Sequence, residues 1–216
     1  MAGGPSQPQP GDRARPPAAE RERLVAAVSR TAAEHGYSGL TVERIVDAAG
    51  LDRAAFDAHF ESREQSLLAA QEAFIESLLL DATHACEAPE PWPLRLSAGL
   101  RAVLSALRES ASLARVFVVE ADSSFGLVLA ERRLVALDDF AGLLRLGRQD
   151  WPSAGRLPQL TERALVGAVA SLVDQSLLRE ELAAMPTLET ELTELLLIPY
   201  VGTGEAKRIA LEFPAR

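Results

Sequence analysis

Within the stretch 41–60, TVERIVDAAGLDRAAFDAHF, two guanidinium groups and an imidazole stand among small side chains. Arginine forks onto phosphate oxygens or onto the acceptor edge of guanine, while hydroxyl and methyl groups beside it touch the same kind of surface. The residues so spaced are Thr41, Arg44, Arg53, Ala54, Ala55 and His59, with Arg63 just beyond. Arg44 suits a phosphate or a groove edge. Arg53, near the start of its helix, suits a bidentate contact to guanine, worth about 1–3 kcal/mol of discrimination. Asp57 lies among them and repels phosphate. It has three readings: it accepts from a cytosine amino group, it pairs with Arg53 one turn earlier, or it marks a surface that has lost strong nucleic-acid contact.

Such groups act together only if short helices hold them. Leu24, Val28 and Ala32 recur at helical spacing and predict a first helix from about residue 18 to His35, with Gly36 as its left-handed cap. Thr41 is the expected N-cap of a second helix that turns Val42, Ile45, Val46 and Ala49 inward and stops at Gly50. Asp52 is the expected cap of a third, carrying Phe56 and Phe60 one turn apart. Ser62 and Gln65 form a capping box for a long fourth helix that ends near His84, before Pro89, Pro91 and Pro93. Two short helices around a glycine turn are helix-turn-helix geometry.

The rest of the chain also reads as helical. Leu96, Leu100, Val103, Leu104 and Leu107 form one stripe, and Leu134, Leu137, Ala141 and Leu144 another. A Gly- and Pro-containing loop is expected from Gly147 to Pro158, followed by a helix from Thr161, with Leu165, Val169 and Leu172 in phase, that Pro186 closes. Thr187 is the expected cap of a helix bearing Leu188, Leu192 and Leu195, which Pro199 divides from a last helix over 204–212. With no alternating run suited to a strand, the chain of 216 residues reads as all-α. Its organisation reads as a Pro-rich, disordered arm over 1–17, a helix-turn-helix domain over 18–62 and a helical bundle over 63–216.

Composition narrows the functional classes. A single cysteine, Cys86, excludes an internal disulfide, and His35, His59 and His84 lack metal-ligand spacing, so no metal and no cofactor are expected. No Ser-His-Asp arrangement, Gly-rich phosphate loop or HExxH pattern supports catalysis, and paired acids such as Asp138 and Asp139 read as solvated, so an enzyme is not expected. The absence of a long apolar run or a secretion signal points to a cytoplasmic protein with no membrane partner. Net charge is −9, yet unevenly spread: 8 arginines against 9 acids over residues 1–63, and 14 basic against 22 acidic residues beyond. A local basic face therefore remains possible where an all-over polyanion binder does not.

The segment 21–68 resembles the DNA-binding region of the TetR (tetracycline-repressor-like) family, through H-G-Y, T-V-x-x-I, A-A-G, x-H-F and S-R-E in that order; LIPYVGTGEA at 197–206 resembles the close of such regulators. The resemblance implies a dimeric, ligand-responsive bacterial regulator, a repressor of palindromic operator DNA released by an apolar or amphipathic small molecule. The alternative is a dimeric helical ligand- or partner-binding protein of the same ancestry with weakened DNA binding. The chain departs from the family pattern where Asp57 replaces a tyrosine, Ala55 a threonine, Asp52 a serine and Arg63 a lysine. Arm residues Arg13 and Arg15, with Arg21 and Arg23, would neutralise phosphates or enter a minor groove. By the same resemblance the helices over about 161–197 would form a homodimer. An effector cavity between bundle helices would draw its lining from Phe74, Leu78, Val103, Leu107, Phe117, Leu137, Phe140, Val169 and Leu172, with Arg115, Glu120, Asp174 and Gln175 for polarity.

Overall fold

The computed structural model describes residues 17–87, 91–119, 126–181 and 187–212; its regular structure there is helical throughout. The expected arm, with Arg13 and Arg15, falls outside the described residues apart from Pro17, and so do Glu120 and Pro186. Helix α1 (Pro17–His35) ends at Gly36 with φ +66°, and α2 (Val42–Ala49) ends at Gly50 with φ +61°. Both glycines take the left-handed conformation that costs other residues about 1–2 kcal/mol. Helix α3 (Arg53–His59) begins under Asp52, whose carboxylate accepts from the Ala55 amide at 2.8 Å. The long α4 (Arg63–Ala85) begins under Ser62, whose hydroxyl accepts from the Gln65 amide at 3.1 Å. The reciprocal bond of the expected box shifts by one residue, since the Gln65 side chain accepts from the Glu61 amide.

Beyond α4 come α5 (Trp92–Glu109), α6 (Ala111–Val119) and α7 (Gly126–Arg145), a short α8 (Gly147–Asp150), then α9 (Thr161–Leu178), α10 (Leu188–Val201) and α11 (Thr203–Glu212). No helix among the described residues is long and apolar enough to cross a membrane. One apolar cluster gathers Leu24 and Val28 of α1, Ile45 and Val46 of α2, Phe56 of α3, Leu67 and Ala70 of α4, and Leu113, Val116 and Phe117 of α6. A second gathers Trp92, Leu100 and Leu104 of α5, Leu144 of α7, Val173 and Leu177 of α9, and Leu192, Leu197 and Tyr200 of α10. Helix α6 serves both, because Ala114 belongs to the second cluster while its neighbours on the same helix complete the first. Full burial of each Leu or Phe favours this arrangement by about 1.5–3 kcal/mol.

Five expectations about element ends and faces are corrected. The stretch from Gly147 to Pro158 is not plain loop: α8 and a 3-10 turn over Pro152–Arg156 occupy it. A Cβ on Gly147 would lie 2.3 Å from the Trp92 ring, so the absent side chain lets this turn pack flat. Helix α9 stops at Leu178 rather than running to Pro186. Glu180 adopts φ +58°, and the amides of Glu180 and Glu181 bond back to the Leu177 and Ser176 carbonyls, a Schellman closure built without glycine. Pro199 lies inside α10, and the break comes at Gly202, whose amide donates to the Ile198 carbonyl; Thr187 precedes the helix without a side-chain cap. Leu134 faces outward on α7, where Leu137, Phe140 and Leu144 carry the inner stripe.

Candidate nucleic-acid interface and effector cavity

The pair α2 and α3 is held by arginines of α1. Arg23 donates to the carbonyls of Ala49 and Gly50, and Arg30 donates to that of Ala48 at 2.7 Å. Cations on the last carbonyls of α2 satisfy groups that no helical amide reaches and oppose the negative end of its dipole. These two arginines therefore brace the helix-turn-helix.

The exposed side of the pair presents Glu43, Arg44 and Asp47 from α2, and Arg53, Ala54, Asp57 and Ala58 from α3. Arg44 donates to the Gly39 carbonyl at 2.9 Å, while Thr41 accepts from the Arg44 amide, so both stand where α2 begins. Arg53 Nε donates to Asp57 Oδ1 at 2.8 Å, and its Nη1 lies 3.7 Å from Glu43. Of the three readings of Asp57, the pairing with Arg53 is the geometry present. Ala55 is half-buried beside Ala54. His59 turns toward α1, with Nε2 3.6 Å from Glu20.

Arg63 is tied into a cluster with Tyr37 and Glu64. Its guanidinium lies 4.6 Å above the Tyr37 ring, Nη1 donates to the Leu40 carbonyl, and Nε donates to Glu64, which also accepts from the Tyr37 hydroxyl at 3.1 Å. Burial, together with the bond to Glu64, raises the Tyr37 phenol above its usual pKa. Burial also pushes the Glu64 carboxyl upward, but the bonds from Arg63 and Tyr37 and a backbone amide outweigh it and hold it below the usual value. The tyrosine of H-G-Y and the charges of S-R-E thus pin the start of α4 to the loop between α1 and α2.

A cavity of about 220 Å³ opens between α4, α5, α6, α7 and α9. Phe74, Leu78, Val103, Leu107, Phe117, Leu137, Phe140 and Val169 of the expected lining border it. Leu172 and Gln175 do not; they lie on the other side of α9, in a second hollow against α10 with Arg179 and Leu195. Arg115 pairs with Glu180 away from the cavity. The polar groups that border it are Gln71, Cys86, and an ion pair of Arg133 on α7 with Asp174 on α9. Gln71 is 3% exposed, and its Oε1 meets no donor among the described residues. Cys86 donates to the Arg95 carbonyl, and burial raises its thiol pKa, which keeps it protonated. Gln71 and Arg133 were not anticipated. Their spacing carried the signal, since Gln71 precedes Phe74 and Leu78 by three and seven residues, and Arg133 precedes Leu137 and Phe140 by four and seven.

Residues 24–70 match the sequence model of the bacterial regulatory proteins of the tetR family. No curated protein matches the chain. Among solved structures, a transcriptional regulator of Pseudomonas aeruginosa aligns at TM-score 0.68 and 16% identity, over 92% of this chain and 96% of that one. A TetR-family regulator of Syntrophomonas wolfei aligns at TM-score 0.66 and 13% identity, over 90% and 96%. FadR of Bacillus subtilis, solved in complex with stearoyl-CoA, aligns at 0.64 and 18%, over 84% and 98%. At these identities the likeness is one of fold across nearly the full length of each neighbour.

Proposed function

We propose, from the premise that residues 24–70 are those of a tetR-family bacterial regulatory protein, that the chain is a homodimeric repressor of palindromic operator DNA which a small apolar effector releases. The observation that carries the reading is the sharing of α4 and α6. Phe74 and Phe117, whose rings are 5.8 Å apart, border the cavity and also pack on the apolar cluster under α2 and α3. A ligand that moves these rings moves the floor of the helix-turn-helix. In the operator complex α3 enters the major groove with Arg53 at its start, and Arg44 approaches the phosphates. The outward faces of α9 and α10 pair with those of a second copy, which sets two recognition helices about 34–36 Å apart. The stearoyl-CoA complex of the Bacillus subtilis neighbour supports an apolar effector for this fold. Effector binding favours a different separation and releases the operator by its differential affinity for the two states.

Asp57 favours a second reading, a helical ligand-binding protein with weakened DNA contact, because it neutralises Arg53 on the exposed face. Fluorescence anisotropy against the DNA flanking the chain's own gene, in a salt series with scrambled competitor, separates the two. Nanomolar binding that survives competitor and falls steeply with salt supports the repressor. Weak, sequence-blind binding supports the alternative. In either case Asp57→Asn raises affinity for random duplex by roughly fivefold, the equivalent of about 1 kcal/mol for one unit charge near phosphate in water.

A further inference from the structure

A cavity wall selects by charge as well as by shape. Among the described residues that border this one, Arg133 of α7 and Asp174 of α9 are the only charged side chains, and they pair with each other. Each keeps surface that a neighbouring molecule can touch, since the side chains are 31% and 22% exposed. Apart from Gln71 and Cys86 the rest of the border is apolar. Adjacent charges on the same two helices are already matched: Arg132 lies 2.9 Å from Glu72 of α4, and Arg163 lies 2.7 Å from Asp138. A carboxylate arriving beside Arg133 therefore has two courses. It competes with Asp174, which then loses its partner in an apolar wall, or it enters with no net counter-charge. A cation meets the mirror-image obstacle at Arg133. An uncharged molecule meets neither.

We propose that Asp174 sets the charge of the molecule this cavity takes: by holding Arg133 it makes the site one for uncharged apolar molecules, and without it the same cavity would take apolar carboxylates. This rests on the reading of the cavity as the effector site. Asp174 acts here through Arg133, as a specificity determinant that turns anions away rather than as a group that grips the ligand.

Calorimetric titration of the full chain without DNA tests the proposal, with 1-octanol, octanoate and octylammonium as probes at pH 7, where the acid and the amine are ionised. The unaltered chain is expected to prefer 1-octanol to both ions. Desolvation of an ion in any apolar site gives that same order, so the decisive reading is how the ratios change. Asp174→Asn, checked for native circular dichroism, should improve octanoate relative to 1-octanol by about tenfold or more, because a charged hydrogen bond to the freed Arg133 becomes available. Arg133→Gln should do the same for octylammonium through the freed Asp174, and the double substitution should restore the original order, since neither charge remains. Tighter binding of either ion than of 1-octanol by the unaltered chain, or no binding of 1-octanol, overturns the proposal. So does an octanoate ratio that Asp174→Asn leaves unmoved or, should that variant not fold, an octylammonium ratio that Arg133→Gln leaves unmoved. A chain that binds its operator yet prefers octanoate keeps the repressor reading and loses this one; a chain whose ratios shift as stated but which binds no operator does the reverse.

Discussion

Glu162 shows what a single buried charge does in this fold. It is fully buried at the start of α9 and accepts from Arg148 at 2.6 and 2.9 Å and from the Tyr200 hydroxyl at 2.9 Å. Arg148 also donates to the Leu157 and Pro158 carbonyls, so one carboxylate ties together α8, the turn before α9, and α10. Burial raises the pKa of Glu162, yet the bonds from Arg148, a backbone amide and Tyr200 outweigh it, so the folded value lies below the ordinary 4.5. A group depressed on folding adds stability above its unfolded pKa and loses it as pH falls through the folded one. Glu162→Gln should therefore lower the thermal midpoint at pH 7, and the gap from wild type should shrink as pH drops below about 4.5. A gap independent of pH in melting curves would show that shape, not charge, holds the cluster. The same scale explains Arg63. As a residue type it suits phosphate, whereas its partners Tyr37, Leu40 and Glu64 are set by a fold that brings two loops together.

At the scale of elements, the local signals were strong wherever a cap or a left-handed glycine ends a helix. Thr41, Asp52 and Ser62 cap as their types demand, and Gly36 and Gly50 terminate. Gly50 also positions α3, because it closes α2 and its carbonyl accepts from Arg23. A Cβ there would stand 3.2 Å from Arg23 Nη2 on a backbone of φ +61°. Gly50→Ala should destabilise the chain by about 1–2 kcal/mol in urea titration, with a shallower anisotropy response to DNA, since the angle between α2 and α3 shifts. Loss of stability below about 0.5 kcal/mol would mean that the turn relaxes freely. Two helix ends carry no local signal: Glu180 takes the left-handed conformation in a Schellman closure that has no glycine, and Pro199 lies inside a helix whose break falls at Gly202.

The described residues of the molecule pack as two apolar clusters joined by shared helices. Phe117 borders the cavity and packs in the cluster beneath α2 and α3, so it belongs to the cavity wall and to the support of the helix-turn-helix alike. Phe117→Leu keeps an apolar side chain and should cost about 1–2 kcal/mol of stability. The effect on regulation should be larger: the factor by which effector weakens DNA affinity falls severalfold, because coupling needs an element that both sites bias. That factor is measured by anisotropy with and without effector. An unchanged factor would route the coupling through α4 alone.

The sequence by itself determined the all-α class, the capped helices around the glycine turn and the surface set of Thr41, Arg44, Arg53 and Asp57. Each follows from contacts within a few residues, where propensity, capping and 3.6-residue periodicity act directly. The Arg53–Asp57 pair was also legible, being one helical turn long. Only the tertiary structure decided that Leu172 and Gln175 face away from the cavity while Gln71 and Arg133 border it beside the expected Asp174. It alone turned His59 toward Glu20, 39 positions away along the chain by number. Which stripe of a helix faces a cavity depends on how several helices cross, and those crossings are set by side chains far apart in sequence packing to a common density.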